Sequence, residues 1–195
     1  MSTTSSSPTQ AWLTPAALSQ GLLFLEQTRN GMLGAVKLLT PVQWTFKPSP
    51  ERWSIGEIAG HVVAVQERVI GMLRQHLAAA PPPPPEQNCE VVDSIVIHQI
   101  PGRLSKFPSP IPAAPALDKA ETLRLYTDNC AIFAEMLETT PDLRGHALES
   151  RPLTAISKGA YTVMDGYQWI LAAAAHAERH TKQLLEVIAD DSFPE

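Results

Sequence analysis

Apolar residues recur at steps of three, four and seven along four separate stretches of this chain, the spacing of one face of an α-helix. The first stretch opens at Thr14-Pro15, a capping residue followed by proline at the first helical position. Leu18, Leu22, Leu25, Met32, Val36 and Leu39 form its buried stripe, and Thr40-Pro41 is expected to end it. The second opens at Ser54-Ile55-Gly56-Glu57, where a hydroxyl and a carboxylate can each satisfy an orphan backbone N–H. Its face runs through Ile58, Val62, Val65, Val69, Met72 and Leu73, and it must stop before Pro81–Pro85. In the third, Asp118 and Glu121 stand in the same capping relation ahead of Leu123, Tyr126, Cys130, Phe133 and Leu137, with Thr140-Pro141 as the stop. Asp165 caps the fourth, which continues through Trp169, Ala173, His176, His180, Leu184 and Val187. None of the four reads as a strand. Amphipathic helices of about five to seven turns at 3.6 residues per turn predict an all-α fold, a four-helix bundle.

Between the second and third helices, Pro81 to Leu117 holds ten of the chain's eighteen prolines, so no helix of the bundle is expected there. Within it, Glu90-Val91-Val92-Asp93-Ser94-Ile95-Val96-Ile97 is apolar and β-branched and should pack against something. A connection this long can travel the full length of a bundle. Helices two and three would then run parallel, giving up-down-down-up order with 81–117 as the crossover. The five consecutive prolines read better as a stiff helix stop than as a polyproline ligand for a partner. Residues 1–13 are expected to be a flexible polar tail, and 14–195 one domain.

Composition removes several functions. With 44% hydrophobic and 18% charged residues the chain is too apolar for general disorder. A net charge of −5 speaks against nucleic acid, which needs a surplus of Lys and Arg on one face. The longest unbroken apolar run, Trp169 to Ala175, falls far short of the ~20 residues a membrane span requires. The start MSTTSSSPTQ has neither the basic nor the apolar region of an export signal. Cys89 and Cys130 form no C-x-x-C pair and cannot staple a chain of this length. A reduced, cytoplasmic protein is expected, with a small-molecule substrate as partner, no nucleic acid and no membrane; a homodimer is compatible with all of this.

Chemistry concentrates in two places. His176-Ala177-Glu178-Arg179-His180 sets two imidazoles one helical turn apart on one face, where both can grip one metal ion at ~2.0–2.1 Å. With six histidines in the chain, chance readily supplies such a pair, and a pair of hydrogen-bonded core histidines is the plainer reading. Position argues for more: both rings interrupt the buried stripe between Ala173 and Leu184, where unpaired polar groups are costly. The pattern is not H-E-x-x-H, since Glu178 falls about 200° around the helix from His176 and should face solvent. A thermolysin-like peptidase is excluded. On helix two, His61 is a single polar ring beside Val62 on an apolar face, and packed helices lie close enough for it to meet the pair. Glu57, four residues earlier, could bond the second nitrogen of His61, but its capping role already explains it. Cys130 reads as core packing, and Cys89 has no basic neighbour in sequence to activate it. His98 and His146 are expected in loops and His76 near a helix end, all exposed.

The segment Phe46-Lys47-Pro48-Ser49-Pro50-Glu51-Arg52-Trp53-Ser54-Ile55-Gly56-Glu57-Ile58-Ala59-Gly60-His61 resembles the loop-into-helix-two signature of the DinB/YfiT-like superfamily, with its Trp-Ser-x-x-Glu-x-x-x-His core complete. His176-x-x-x-His180 followed by Thr181-Lys182-Gln183-Leu184 resembles the C-terminal helix of the same family, and the likeness spans about Ala16 to Ala189. The proline-rich centre is longer than the resemblance leads one to expect, and nothing of the family is carried onto it. The resemblance implies an up-down-down-up bundle and a divalent metal held by three histidines, by position His61, His176 and His180. Three imidazoles leave coordination positions open, the arrangement of catalytic sites, and they suit zinc, nickel, iron or copper without choosing among them; zinc or nickel is the expected ion. The family includes thiol-dependent S-transferases, so a metal-dependent transfer using a low-molecular-weight thiol cosubstrate, or a hydrolysis, is the implied activity. The alternative is a non-catalytic metal-binding or metal-free bundle acting as an interaction or stress-response module.

Overall fold

A computed structural model describes residues 12–102 and 118–195. Nearly all of the expected tail and the second half of the 81–117 crossover therefore lie outside the described residues. Four long helices pack together: α1 (Pro15–Val36), α3 (Ile55–His76), α5 (Lys119–Thr139) and α7 (Gly166–Ile188). Shorter ones are α2 (Pro41–Thr45), α4 (Cys89–Gln99) and α6 (Arg151–Ile156). Strands β1 (Ala147–Glu149) and β2 (Val163–Asp165) pair antiparallel, Ala147 opposite Asp165.

The four N-cap residues fall where the sequence puts them, except that Glu121 turns its carboxylate to Arg124 at 2.7 Å and closes no box on Asp118. Thr14, Ser54, Asp118 and Asp165 are the N-caps of the four long helices, each accepting a backbone N–H with its side chain. At α3 the box is complete: Glu57 N–H donates to Ser54 Oγ at 3.2 Å and Ser54 N–H to Glu57 Oε2 at 2.7 Å. At α7, Asp165 and Gln168 exchange the same pair of bonds. The first helix differs from expectation at its end. It stops at Val36, and Thr40-Pro41 begins α2 with its own capping box to Gln43, because Thr-Pro starts a helix as readily as it stops one.

Side-chain contacts give the helix directions. Tyr167, early in α7, donates its hydroxyl to the carbonyl of Ala17, early in α1, at 2.8 Å. Tyr126, early in α5, donates at 3.4 Å to the carbonyl of Thr28, well along α1. Gln66 donates to Cys130 Sγ at 3.6 Å, and further along both helices Leu73, with Leu77 just past the end of α3, lines one cavity with Met136 and Thr139. His61, early in α3, meets His180, late in α7. Helices α1 and α7 therefore point one way, and α3 and α5 the other.

The core is continuous apolar packing in two clusters. One lies toward the hairpin end around Leu73, Phe133, Tyr167 and Leu171, the other around Met32, Ile58, Val62, Tyr126 and Leu184. The β-branched stretch inside the crossover is a helix, α4, capped by Asn88, and Val92, Val96 and Ile100 bury against the first cluster. Proline excludes a helix only where proline stands, and Gln87–Ile100 has none. Arg144 holds α4 in place: it binds both oxygens of Asp93 at 3.2 and 2.6 Å, reaches Asp165 at 3.0 Å, and stacks 4.2 Å over the Tyr167 ring.

Two glycines permit close approaches. A Cβ at Gly56 would stand 2.6 Å from Trp44 Nε1, and one at Gly166 would stand 2.6 Å from Leu77 and 2.9 Å from the Leu143 carbonyl. The first lets Trp44 of α2 press on the start of α3. The second lets α7 begin against the end of α3. No helix among the described residues is long and apolar enough to cross a membrane.

Candidate metal centre

His61 stands two turns into α3, and His176 and His180 stand on the facing surface of antiparallel α7. The three rings come together inside the bundle. Their centroids are 5.2 Å apart for His61–His176, 4.8 Å for His61–His180 and 4.3 Å for His176–His180. One nitrogen from each lies within 4.8 Å of the others, the one cluster of this kind among the described residues. His61 is 1% exposed and His180 9%; the His176 side chain touches solvent, but its Nδ1 is buried.

Hydrogen bonds and neighbours fix the rings. His180 Nδ1 lies 2.8 Å from Gln183 Oε1, and His180 Nε2 lies 3.1 Å from His176 Nε2. The Trp53 ring packs on His61 with centroids 5.1 Å apart. His176 Nδ1 meets no hydrogen-bond partner. Burial, reinforced by His180, His61 and Arg179, pushes the His176 ring well below the ordinary histidine range, so at neutral pH it is an uncharged nitrogen base.

These residues fit a divalent cation. Two nitrogens bound to one ion at ~2.0–2.1 Å sit roughly 3–3.4 Å apart, close to the 3.1 Å between the α7 rings. The third ligating nitrogen lies within 4.8 Å of these two, so the set would have to draw together on a bound ion. A shared ion would also take up ring nitrogens that otherwise meet only one another, and His176 Nδ1 is already left without a hydrogen bond.

The other sequence candidates are placed elsewhere. Glu57 serves the cap of α3 and an ion pair with Lys47 Nζ at 2.6 Å. Burial pushes its carboxyl up, but the bonds from Lys47 and Ser54 outweigh that and hold it below the ordinary range. Glu178 points partly outward and pairs with Lys182 at 2.8 Å. Cys130 is buried core, its thiol pushed up by burial. Cys89 does have a cation nearby in space, Arg144, yet burial and the charge of Asp165 prevail and its thiol too is pushed up. His146 is not exposed as expected but half-buried, with Nδ1 2.6 Å from the Ala80 carbonyl, and His98 lies in α4 rather than in a loop. Sequence reasoning assigned no role to Trp53 or Gln183 at the histidines. Gln183 was findable, since three residues on from His180 places it one turn along the same face.

The DinB superfamily profile matches residues 25–184. A solved structure, YfiT from Bacillus subtilis, superposes with a TM-score of 0.57 at 12% identity, covering 94% of this chain and 91% of that one. It is described as a probable metal-dependent hydrolase with an unusual four-helix bundle topology. At that identity the likeness establishes the fold. No curated protein matches the chain.

Proposed function

This chain belongs to the DinB superfamily, and on that premise we propose that it binds one divalent metal ion through His61, His176 and His180 and uses it on a small molecule, as a hydrolase or a thiol S-transferase. The observation that carries this reading is the meeting of three imidazole nitrogens from two helices within 4.8 Å of one another. The description of YfiT as a probable metal-dependent hydrolase on the same fold supports it.

His176 and His180 act as a chelate on one rigid turn, and His61 closes the set from the opposite helix. Trp53 covers one side of His61 and keeps water from it. When bound, a divalent ion supplies Lewis acidity and eases proton loss from water or from a substrate thiol. Three protein ligands leave at least one coordination position for the reactant. Zinc and nickel are the first candidates for such a donor set, with iron or copper behind them. For the transfer reaction the second reactant is a low-molecular-weight thiol.

Protein purified without chelator is expected to carry about one equivalent of metal by elemental analysis. Ester and amide hydrolysis, and thiol transfer to small electrophiles, are then assayed with the metal removed and restored. Turnover that chelator abolishes and zinc or nickel restores supports the reading. Metal without turnover in either assay leaves a non-catalytic metal-binding bundle. Absence of stoichiometric metal leaves an interaction module and overturns the proposal.

A further inference from the structure

We propose that Gln183 is a positioning residue for the histidine site: its side-chain carbonyl sets the tautomer of His180 and so decides which nitrogen is offered to the metal. The inference rests on the metal reading above but is carried by a separate contact.

Gln183 Oε1 lies 2.8 Å from His180 Nδ1. A carbonyl oxygen can only accept, so Nδ1 carries the ring proton and donates it. In a neutral imidazole the other nitrogen must then show its lone pair. That nitrogen, Nε2, points at His176 Nε2 from 3.1 Å, into the centre of the triad. Were the proton on Nε2 instead, an N–H would point at the place the ion must occupy, and a tautomer shift would have to precede binding. Gln183 stands three residues further along α7, so the helix itself holds donor and acceptor in register. The bond also fixes the ring's rotation about its side-chain axis.

His176 has no such support. Its Nδ1 is buried with no partner. In the metal-free protein its proton is best placed on Nε2, donated across the 3.1 Å gap to His180. The resulting chain runs from His176 to His180 to Gln183, each group donating to the next. Gln183 therefore presets His180 alone for the metal, whereas His176 must give up its Nε2 proton, by a shift to Nδ1, before that nitrogen can bind an ion.

Two substitutions test this without disturbing the helix, since methionine and glutamate are both good helix formers. Gln183→Met removes the acceptor, and Gln183→Glu keeps an acceptor and cannot donate. Ring nitrogen NMR of metal-free protein should show His180 protonated at Nδ1 in the wild type and in Gln183→Glu, and a mixed or reversed tautomer in Gln183→Met. Zinc alone, titrated in competition with a chelating dye, should bind Gln183→Met about 10- to 100-fold more weakly, the usual loss when such an outer partner is removed. Gln183→Glu should match or exceed the wild type. Unchanged ring signals and unchanged zinc affinity in Gln183→Met would overturn the role of Gln183 while leaving the metal site standing. A wild type that takes up no zinc would instead overturn the metal reading, and the ring signals of the metal-free protein would still decide the role of Gln183.

Discussion

Three histidines with ligating nitrogens within 4.8 Å of one another, one of them 1% exposed, are a grouping that a shared ion would stabilise. His176→Ala and His180→Ala should each lose stoichiometric zinc binding while far-ultraviolet circular dichroism keeps nearly the full helical signal. Either ring alone is half a chelate, and neither supports much of the core. Zinc retained at one equivalent in both variants would show that the pair is ordinary packing. At this scale the sequence was partly legible. The one-turn spacing of His176 and His180 is visible because a helix repeats locally. That Glu57 caps its helix instead of bonding His61 is also visible, since a capping box needs only four consecutive residues. The ring of Trp53 over His61 is not, because it depends on how a loop folds back on the helix that follows it.

Among the elements, α3 depends on its start and α4 on a single cation. The carboxyl of Glu57 is held below its ordinary value near 4.5, so its contribution is fully present above that pH and is lost as pH falls through the lower folded value. Glu57→Gln keeps the cap bond and loses the charge facing Lys47. It should be about 0.5–1 kcal/mol less stable than the wild type in urea at pH 7, with the difference shrinking as pH falls below the ordinary carboxylate value. A difference that persists in acid would mean the charge is not the cause. Arg144→Met leaves Asp165, whose side chain is 0% exposed, facing Asp93 without a counter-charge. A loss of about 2–4 kcal/mol is expected, with amide exchange rising first in α4, where the bonds to Asp93 are broken. Uniform exchange across the bundle would instead show that α4 is not held by this clasp. The helix in the crossover escaped sequence reading because Val91, Val92, Ile95, Val96 and Ile97 are β-branched and favour strands in isolation. Burial of Val92 and Val96 against the bundle overrides that preference. The hairpin escaped because three-residue strands are too short to display alternation.

For the whole molecule, the direction of the helices is what brings the histidines together. Running α7 against α3 sets His61, early in its helix, level with His180, late in its own. The same arrangement makes α3 and α5 parallel, so spin labels at Gln75 and Glu138 should be closer together than labels at Gln75 and Glu121. The span from 121 to 138 along α5 is about 26 Å, large enough to separate the two orderings without ambiguity. The reverse order would require antiparallel neighbours. The length of the connection between helices two and three only permitted this layout, and it was the family resemblance that implied it. The level at which helices two and four face one another was not legible, because it is set by caps and loops at opposite ends of the chain. The most direct test of the site is a zinc titration of wild type, His61→Ala, His180→Ala and the double variant at one salt and pH. His61→Ala should weaken zinc at least tenfold, and the double variant should lose less binding free energy than the two single losses added, because both rings hold one ion. Zinc should also raise the unfolding temperature of the wild type, reversibly with chelator, and not that of His61→Ala. Equal zinc affinity with and without His61 would contradict a three-histidine centre and leave His61 as a core residue.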